Sequence, residues 1–187
     1  KKKKFLALIG YGYWGKNLAR DFNSLGVLKA VSDVNHKTQS DVKLISENIL
    51  FKRNYKDLLK DSYITSVAIA TPAKSHYDIV KECLIARKNV FVEKPLCLNY
   101  SDGKKLVTLA KKNKLKLMVG HLMLYNPAFI KMIETIKKGK IGKVKYIYSN
   151  RLALGKLRKE EDVLWSFAPH DISMILQLVK EDLISVR

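Results

Sequence analysis

A glycine pattern close to the start of the chain constrains the fold more than any other feature. Residues 5–9 are apolar, a run too short for anything but a strand, and they lead into Gly10-Tyr11-Gly12-Tyr13-Trp14-Gly15. The spacing is G-x-G-x-x-G, the strand-to-helix turn that receives a dinucleotide. The first glycine permits a tight turn, the second lets a pyrophosphate approach the backbone, and the third lets helix and strand pack closely. Unpaired N–H groups at the start of the helix, around Tyr13 and Trp14, are then expected to meet the anion.

A second apolar run at 27–31 ends in Ser32-Asp33. An acidic residue about 20 residues beyond the glycines, at the end of a second strand, is where the ribose hydroxyls of NAD are held. No arginine follows Asp33 directly to receive a 2′-phosphate, so NAD is expected rather than NADP. Asn35, His36 and Lys37 still leave room for the phosphate, and Asp33 also reads as a simple turn residue.

Further along, 38–48 is helix-like, 49–51 reads as a short strand and 54–59 as a brief helix. The run 66–70 is continuously apolar, as in a parallel strand covered on both faces. It ends in Thr71-Pro72. Ser75, with Asp78 three residues later, is expected to cap a helix that runs to Arg87 and is closed by Asn89. Residues 90–92 lead into Glu93-Lys94-Pro95, a helix is expected over 100–113, and 117–120 is a fifth long apolar run. Strand and helix alternate at crossover spacing, which predicts an α/β fold with a doubly wound parallel sheet over residues 1–121. Ligands of such sheets bind beyond the carboxyl ends of the strands, and those ends carry Gly10–Gly15, Asp33, Thr71, Pro72, Glu93, Lys94 and His121.

After residue 121 the character changes, and 122–187 reads as the start of a second domain. Asn126-Pro127 opens a helix that Lys137-Lys138-Gly139 closes. Residues 144–151 alternate like a strand with one exposed face. A loop over 152–168, a helix over 169–179 and a strand beginning at 183 complete the reading. One strand and two helices cannot close a second core, so the chain is expected to be part of something longer.

The net charge of +19, from 36 basic and 17 acidic residues, raises nucleic acid or an anionic membrane as partners. Outside Lys1–Lys4 the lysines are dispersed, with no dense basic run interleaved with aromatics, so a solvated lysine-rich surface is expected and nucleic acid is not. The apolar run behind Lys1–Lys4 stops at Gly10, too soon for a signal peptide, and 115–124 is too short and interrupted to span a bilayer. Cys83 and Cys97 lack C-x-x-C spacing and read as reduced hydrophobes of a cytoplasmic protein. No metal site is expected.

Two residues stand out as chemistry. Lys94 follows a strand, and Pro95 keeps it out of the helical region, so its ammonium is held at the strand edge to polarise a substrate hydroxyl. His170 is expected in the first turn of its helix, where the dipole disfavours the imidazolium and leaves a neutral base. Each also has a plainer reading, Lys94 as one solvated lysine among many and His170 as a structural helix-start residue.

Taken together, Gly10-Tyr-Gly-Tyr-Trp-Gly15, Thr71-Pro72 with His76, Glu93-Lys94-Pro95, Asn126-Pro127, Gly139-Lys-Ile-Gly142 and His170 resemble the Gfo/Idh/MocA oxidoreductases. The resemblance implies an N-terminal Rossmann domain followed by an α/β domain with an open mixed sheet, often used for oligomerisation. It also implies that His76 belongs with the cofactor residues and that Lys94 and His170 are catalytic. On the substrate side it implies His121, Tyr125, Asn126, Arg151, Trp165 and His170. There are departures: Ser166 stands four residues before His170 where the family commonly has aspartate, and Leu124 stands where an arginine is frequent.

The stretch 164–172 is similar to the subgroup acting on nucleotide sugars, particularly UDP-N-acetylglucosamine 3-dehydrogenases. Arg151, Lys156, Arg158 and Lys159 would suit a diphosphate, although Glu160, Glu161 and Asp162 fit a solvated charged loop equally well. Trp165 would stack on a ring or pack in a core. The expected activity is NAD-dependent oxidation of a sugar's secondary hydroxyl, probed against two others: a free-sugar or inositol dehydrogenase, and a non-catalytic NAD-binding regulator.

Overall fold

The computed structural model describes residues 4–152, 162–179 and 181–186. They form two compact units, Lys1–Gly120 and His121–Arg187.

The first unit is a parallel sheet with helices on both faces. Its strands are β1 (Phe5–Ile9), β2 (Leu28–Ser32), β3 (Leu50–Lys52), β4 (Ile64–Ile69), β5 (Asn89–Val92) and β6 (Leu117–Val119). They lie in the order β3-β2-β1-β4-β5-β6, every neighbouring pair parallel. Between them run α1 (Tyr13–Ser24), α2 (Thr38–Ile45), α3 (Lys56–Leu59), α4 (His76–Ile85) and α5 (Tyr100–Lys112). This is the Rossmann order, whose reversal between β1 and β4 opens a crevice at the strands' carboxyl ends.

The continuous apolar runs follow from burial on both faces. Ala7, Ile9, Val67, Ile69, Val90 and Val92 pack on one side with Val80, Cys83 and Leu84 of α4 and Leu106 of α5. Leu8, Val31 and Ala68 pack on the other with Leu18 and Ala19 of α1 and Val42 of α2. Alternate residues of one strand therefore serve two cores. Both cysteines are free, and burial pushes the Cys83 thiol up to about 12, as befits an inert hydrophobe.

Several boundaries differ from the sequence expectation. α2 stops at Ile45 and α4 at Ile85, and Arg87 at φ 60° turns the chain so that Asn89 begins β5 instead of closing α4. Ser75 does precede α4, but its hydroxyl donates to Thr71 Oγ1 and Pro72 O, both at 2.8 Å, rather than capping the helix. Asn99 is the true side-chain cap of this region, accepting from Ser101 N at 2.8 Å.

In the second unit, a short 3-10 turn at Leu122–Tyr125 leads into α6 (Pro127–Lys137), and α7 spans Val163–Leu178. Asn126 caps α6 by accepting from Ala128 N at 2.9 Å, and Gly139 at φ 70° ends it, as the sequence indicates. The expected helix over 169–179 instead begins six residues earlier. Asp162 is its cap, accepting from Trp165 N at 2.8 Å, and Pro169 lies inside it. A proline suits a first turn so well that it masked the real start. Among the described residues the expected strands at 144–151 and from 183 are not formed, because a β-strand needs a neighbour to complete its ladder and this unit supplies none. Lys156, Arg158 and Lys159 lie outside the described residues.

Candidate functional site

The carboxyl ends of β1, β2, β3 and β4 enclose a cavity of about 390 Å³, whose walls include Gly10, Gly12, Asp33, Arg53, Thr71 and Pro72. Each wall follows from local sequence. Gly10 adopts φ 93°, which only glycine accepts easily, and a Cβ there would sit 2.7 Å from the backbone of Ala70. A Cβ on Gly15 would collide with the carbonyl oxygen of Gly10. These two glycines are explained by protein neighbours. Gly12 is not: nothing lies within 4 Å of its missing Cβ, so its backbone is bare toward open space at the start of α1. α1 has no acidic residue in its first turn and no side-chain cap, which leaves its first N–H groups for an anion. The residues fit a dinucleotide, with Gly12 and the turn into α1 set to receive its pyrophosphate.

Asp33 is half-buried at the cavity wall. Its Oδ2 accepts from Tyr11 N at 2.6 Å and its Oδ1 from Asn35 N at 2.8 Å. Two backbone N–H groups thus fix the carboxylate, as the turn reading requires, and each oxygen retains a lone pair. Arg53, Tyr55, Ser75, Val34 and Ile79 also line the cavity, beyond the residues that the sequence assigns to the site. The signal for Arg53 was available, since β3 ends on the same edge as its neighbours.

Across the edge, Glu93 and Lys94 follow β5. Glu93 Oε1 accepts from the Trp14 indole N–H at 2.7 Å, and its carboxylate packs so closely on Gly120 that a Cβ there would come within 3.0 Å of Oε2. Burial raises the Glu93 carboxyl above the usual carboxylate range, with Trp14 opposing the shift. Glu93 therefore ties the start of α1 to the end of β5. Lys94 is joined to Pro95 by a cis peptide bond and is half-buried beside that edge. Tyr13 is 89% exposed, so its expected role rests on its backbone.

His76 departs from the expectation of a cofactor contact. It is 1% exposed, and its ring nitrogens lie 2.7 Å from Pro95 O and 2.8 Å from Thr71 O. The imidazole is a strut between the ends of β4 and β5 and is absent from the cavity wall.

In the second unit, burial lowers the affinity of His121 for a proton, favouring its neutral form. Tyr125 and Asn126 are exposed, and the Asn126 side chain is engaged as the α6 cap. Arg151, expected to grip a phosphate, instead holds Asp171 through Nε at 2.9 Å and Nη2 at 3.0 Å. That pairing drives the Asp171 carboxyl below its usual range. Trp165 and His170 are both half-buried on α7. His170 lies well inside the helix, so the first-turn dipole argument for its neutrality no longer applies. Among the described residues no group of His, Cys, Asp and Glu could hold a metal ion, and no helix is long and apolar enough to cross a membrane.

Comparison with known proteins agrees with this geometry. The family model GFO_IDH_MocA, described as an oxidoreductase family with an NAD-binding Rossmann fold, matches residues 5–121. Myo-inositol 2-dehydrogenase of Thermotoga maritima is 28% identical over 187 residues, covering 95% of this chain and 55% of that protein. UDP-N-acetylglucosamine 3-dehydrogenase of Acidithiobacillus ferrooxidans is 26% identical over 181 residues, covering 96% of this chain and 56% of that protein. The chain thus spans just over half the length of these curated relatives. Among solved structures, GenD2 from gentamicin A biosynthesis, in complex with NAD, superposes with a TM-score of 0.70 at 25% identity, over 75% of this chain and 40% of that one. An NAD-binding protein from Listeria innocua shares the fold, with a TM-score of 0.80 at 21% identity over 95% of this chain and 55% of that one. With its glycine turn, its strand order and a family match over the whole sheet, the chain belongs to the Gfo/Idh/MocA oxidoreductases and carries their NAD-binding Rossmann fold.

Proposed function

We propose that this chain serves an NAD-dependent dehydrogenase that oxidises a secondary hydroxyl of a sugar, the 3-hydroxyl of a UDP-N-acetylhexosamine being the first candidate. The observation that carries the reading is the placement of Lys94 on the same sheet edge as the bare backbone of Gly12 and the carboxylate of Asp33. Bound NAD supplies the acceptor for the hydride that leaves the carbinol carbon. Asp33 takes the ribose hydroxyls, and Gly12 with the first turn of α1 takes the pyrophosphate. Lys94 donates a hydrogen bond to the reacting hydroxyl and steadies the negative charge as its proton departs. His170 receives that proton. Homo-oligomerisation of the whole protein and a cytoplasmic location belong to the same proposal.

A second reading, oxidation of a free cyclic polyol, has one observation in its favour. Arg151, which would hold a nucleotide diphosphate, is engaged by Asp171, and one relative acts on myo-inositol by name. The deciding experiment follows nicotinamide absorbance with NAD and a panel of UDP-sugars, free sugars and inositols. A rise confined to UDP-N-acetylhexosamines supports the first reading. A rise confined to inositols or free sugars replaces it with the second. NAD binding without turnover on any substrate would contradict both and leave a regulatory dinucleotide-binding protein.

A further inference from the structure

The backbone of Lys94 is held from both sides, and one of the two holds reaches the glycine turn at the start of α1. Behind it, Pro95 O lies 2.7 Å from Nδ1 of the buried His76. In front of it, the Lys94 backbone N–H donates to the Glu93 carboxylate, which also accepts from the Trp14 indole N–H at 2.7 Å. Trp14 stands in the first turn of α1, between Gly12 and Gly15. Glu93 is itself fixed along the sheet. Its N–H donates to Ile69 O at 2.9 Å, and Gly120, whose N–H donates to Val92 O at 2.8 Å, makes room for the carboxylate by having no Cβ. The ends of β4, β5 and β6 and the start of α1 thus converge on one acidic residue.

Burial pushes the Glu93 carboxyl up, and the Trp14 indole, the Lys94 N–H and the Lys94 charge oppose it, in that order. A partly buried carboxylate that loses its main donor bears its desolvation uncompensated or takes up a proton, and either change alters its hold on the Lys94 N–H. An indole suits the task, because its N–H is a donor only and the bond cannot reverse. We propose that Trp14 is a positioning residue for catalysis: through Glu93 it fixes the backbone that carries the Lys94 ammonium and links that position to the turn into α1. The pair acts on Lys94 rather than on the ligands. The inference rests on Lys94 as the residue that polarises the substrate hydroxyl, and adds the device that aims it.

The test compares the wild type with Trp14→Phe, Glu93→Gln, Glu93→Ala and Lys94→Ala by three measurements. These are steady-state kinetics on the sugar that supports turnover, NADH titration, and hydrogen exchange at the Lys94 amide of the NAD-free protein. Phenylalanine keeps a ring and the backbone of the first turn but removes the N–H. Trp14→Phe should lower kcat and quicken Lys94 exchange, each by about tenfold, the worth of one hydrogen bond to a charged group, while KM and NADH affinity stay within about twofold. Glu93→Gln, which keeps an oxygen for the indole, should retain more of kcat than Glu93→Ala. Wild-type kcat or wild-type Lys94 exchange in Trp14→Phe overturns the proposal, even where the variant melts lower, since the tie would then be structural only. A parallel loss of NADH affinity overturns it as well and puts the indole on the cofactor. An inactive Lys94→Ala beside a fully active Trp14→Phe sinks this proposal alone. Substantial turnover in Lys94→Ala removes the reading on which it rests, and the proposal with it.

Discussion

The two edges of the six-stranded sheet are built from the same residue types and use them oppositely. Where the strands begin, charge is turned inward. Lys88, 6% exposed, spends its ammonium on Asp61 O at 2.8 Å and Ile64 O at 2.7 Å. Lys29 pairs with Asp61 at 2.8 Å and lies over the rings of Tyr63 and Phe5, 4.6 and 5.6 Å from their centroids. Where the strands end, Gly12 and Arg53 line a cavity, and Lys94 lies half-buried on the same edge. One edge spends its cations on protein, and the other opens onto a cavity beside a glycine backbone that no neighbour covers. A lysine count cannot tell these uses apart; only position in the topology can.

If the contrast holds, variants at the two edges should fail in different assays. The largest effect belongs to Lys94→Ala, which should lower turnover by about 10²- to 10⁴-fold or more while leaving NADH affinity nearly unchanged, read by steady-state kinetics and by titration. Substantial residual turnover would remove Lys94 from the chemistry.

At the opposite edge, Lys88→Met should take the ammonium from the buried Ile64 carbonyl and from Asp61 O and cost about 2–4 kcal/mol, seen as a lowered denaturant midpoint. The surviving folded fraction should still bind NADH. Comparable melting behaviour to wild type would mean that this edge does not depend on its buried cation.

The smallest effect concerns Asp61, whose carboxyl the Lys29 hydrogen bond holds below the usual carboxylate range against the opposing pull of burial. A depressed carboxylate contributes stability that is present above its unfolded value and is lost as pH falls through the folded one. Asp61→Asn should therefore cost about 1 kcal/mol near neutral pH and converge with wild type in acid, measured by denaturation across pH. A pH-independent difference would mean that Asp61 acts by packing rather than by charge.

Much of the first unit was legible because its signals are local or periodic. β1 falls on 5–9 as the apolar run indicates, and the other strands begin or end within a residue or two of theirs. The strand order is a matter of pairing between distant segments, and it became readable only through the glycine turn that marks the fold. Arg53 is not legible beside Asp33 in the chain, because the sheet brings it in from the neighbouring strand. His76 carries the opposite lesson: a histidine in a motif near a cofactor edge is consumed by two backbone carbonyls. In the second unit the local signals at Asn126 and Gly139 held. The alternation at 144–151 forms no strand, since alternation describes a face and does not provide the neighbour that a strand requires.

The central claim, that the carboxyl edge is a dinucleotide site built around the bare backbone of Gly12, is tested most directly by titrating NADH into the wild type and into Gly12→Val, with thermal melts of both. A valine meets no protein atom within 4 Å at its Cβ, so the melting temperatures should agree. NADH affinity should fall by about tenfold or more, because the added side chain occupies the approach of the pyrophosphate. Equal NADH affinity in the two proteins, with the fold intact, would contradict the account.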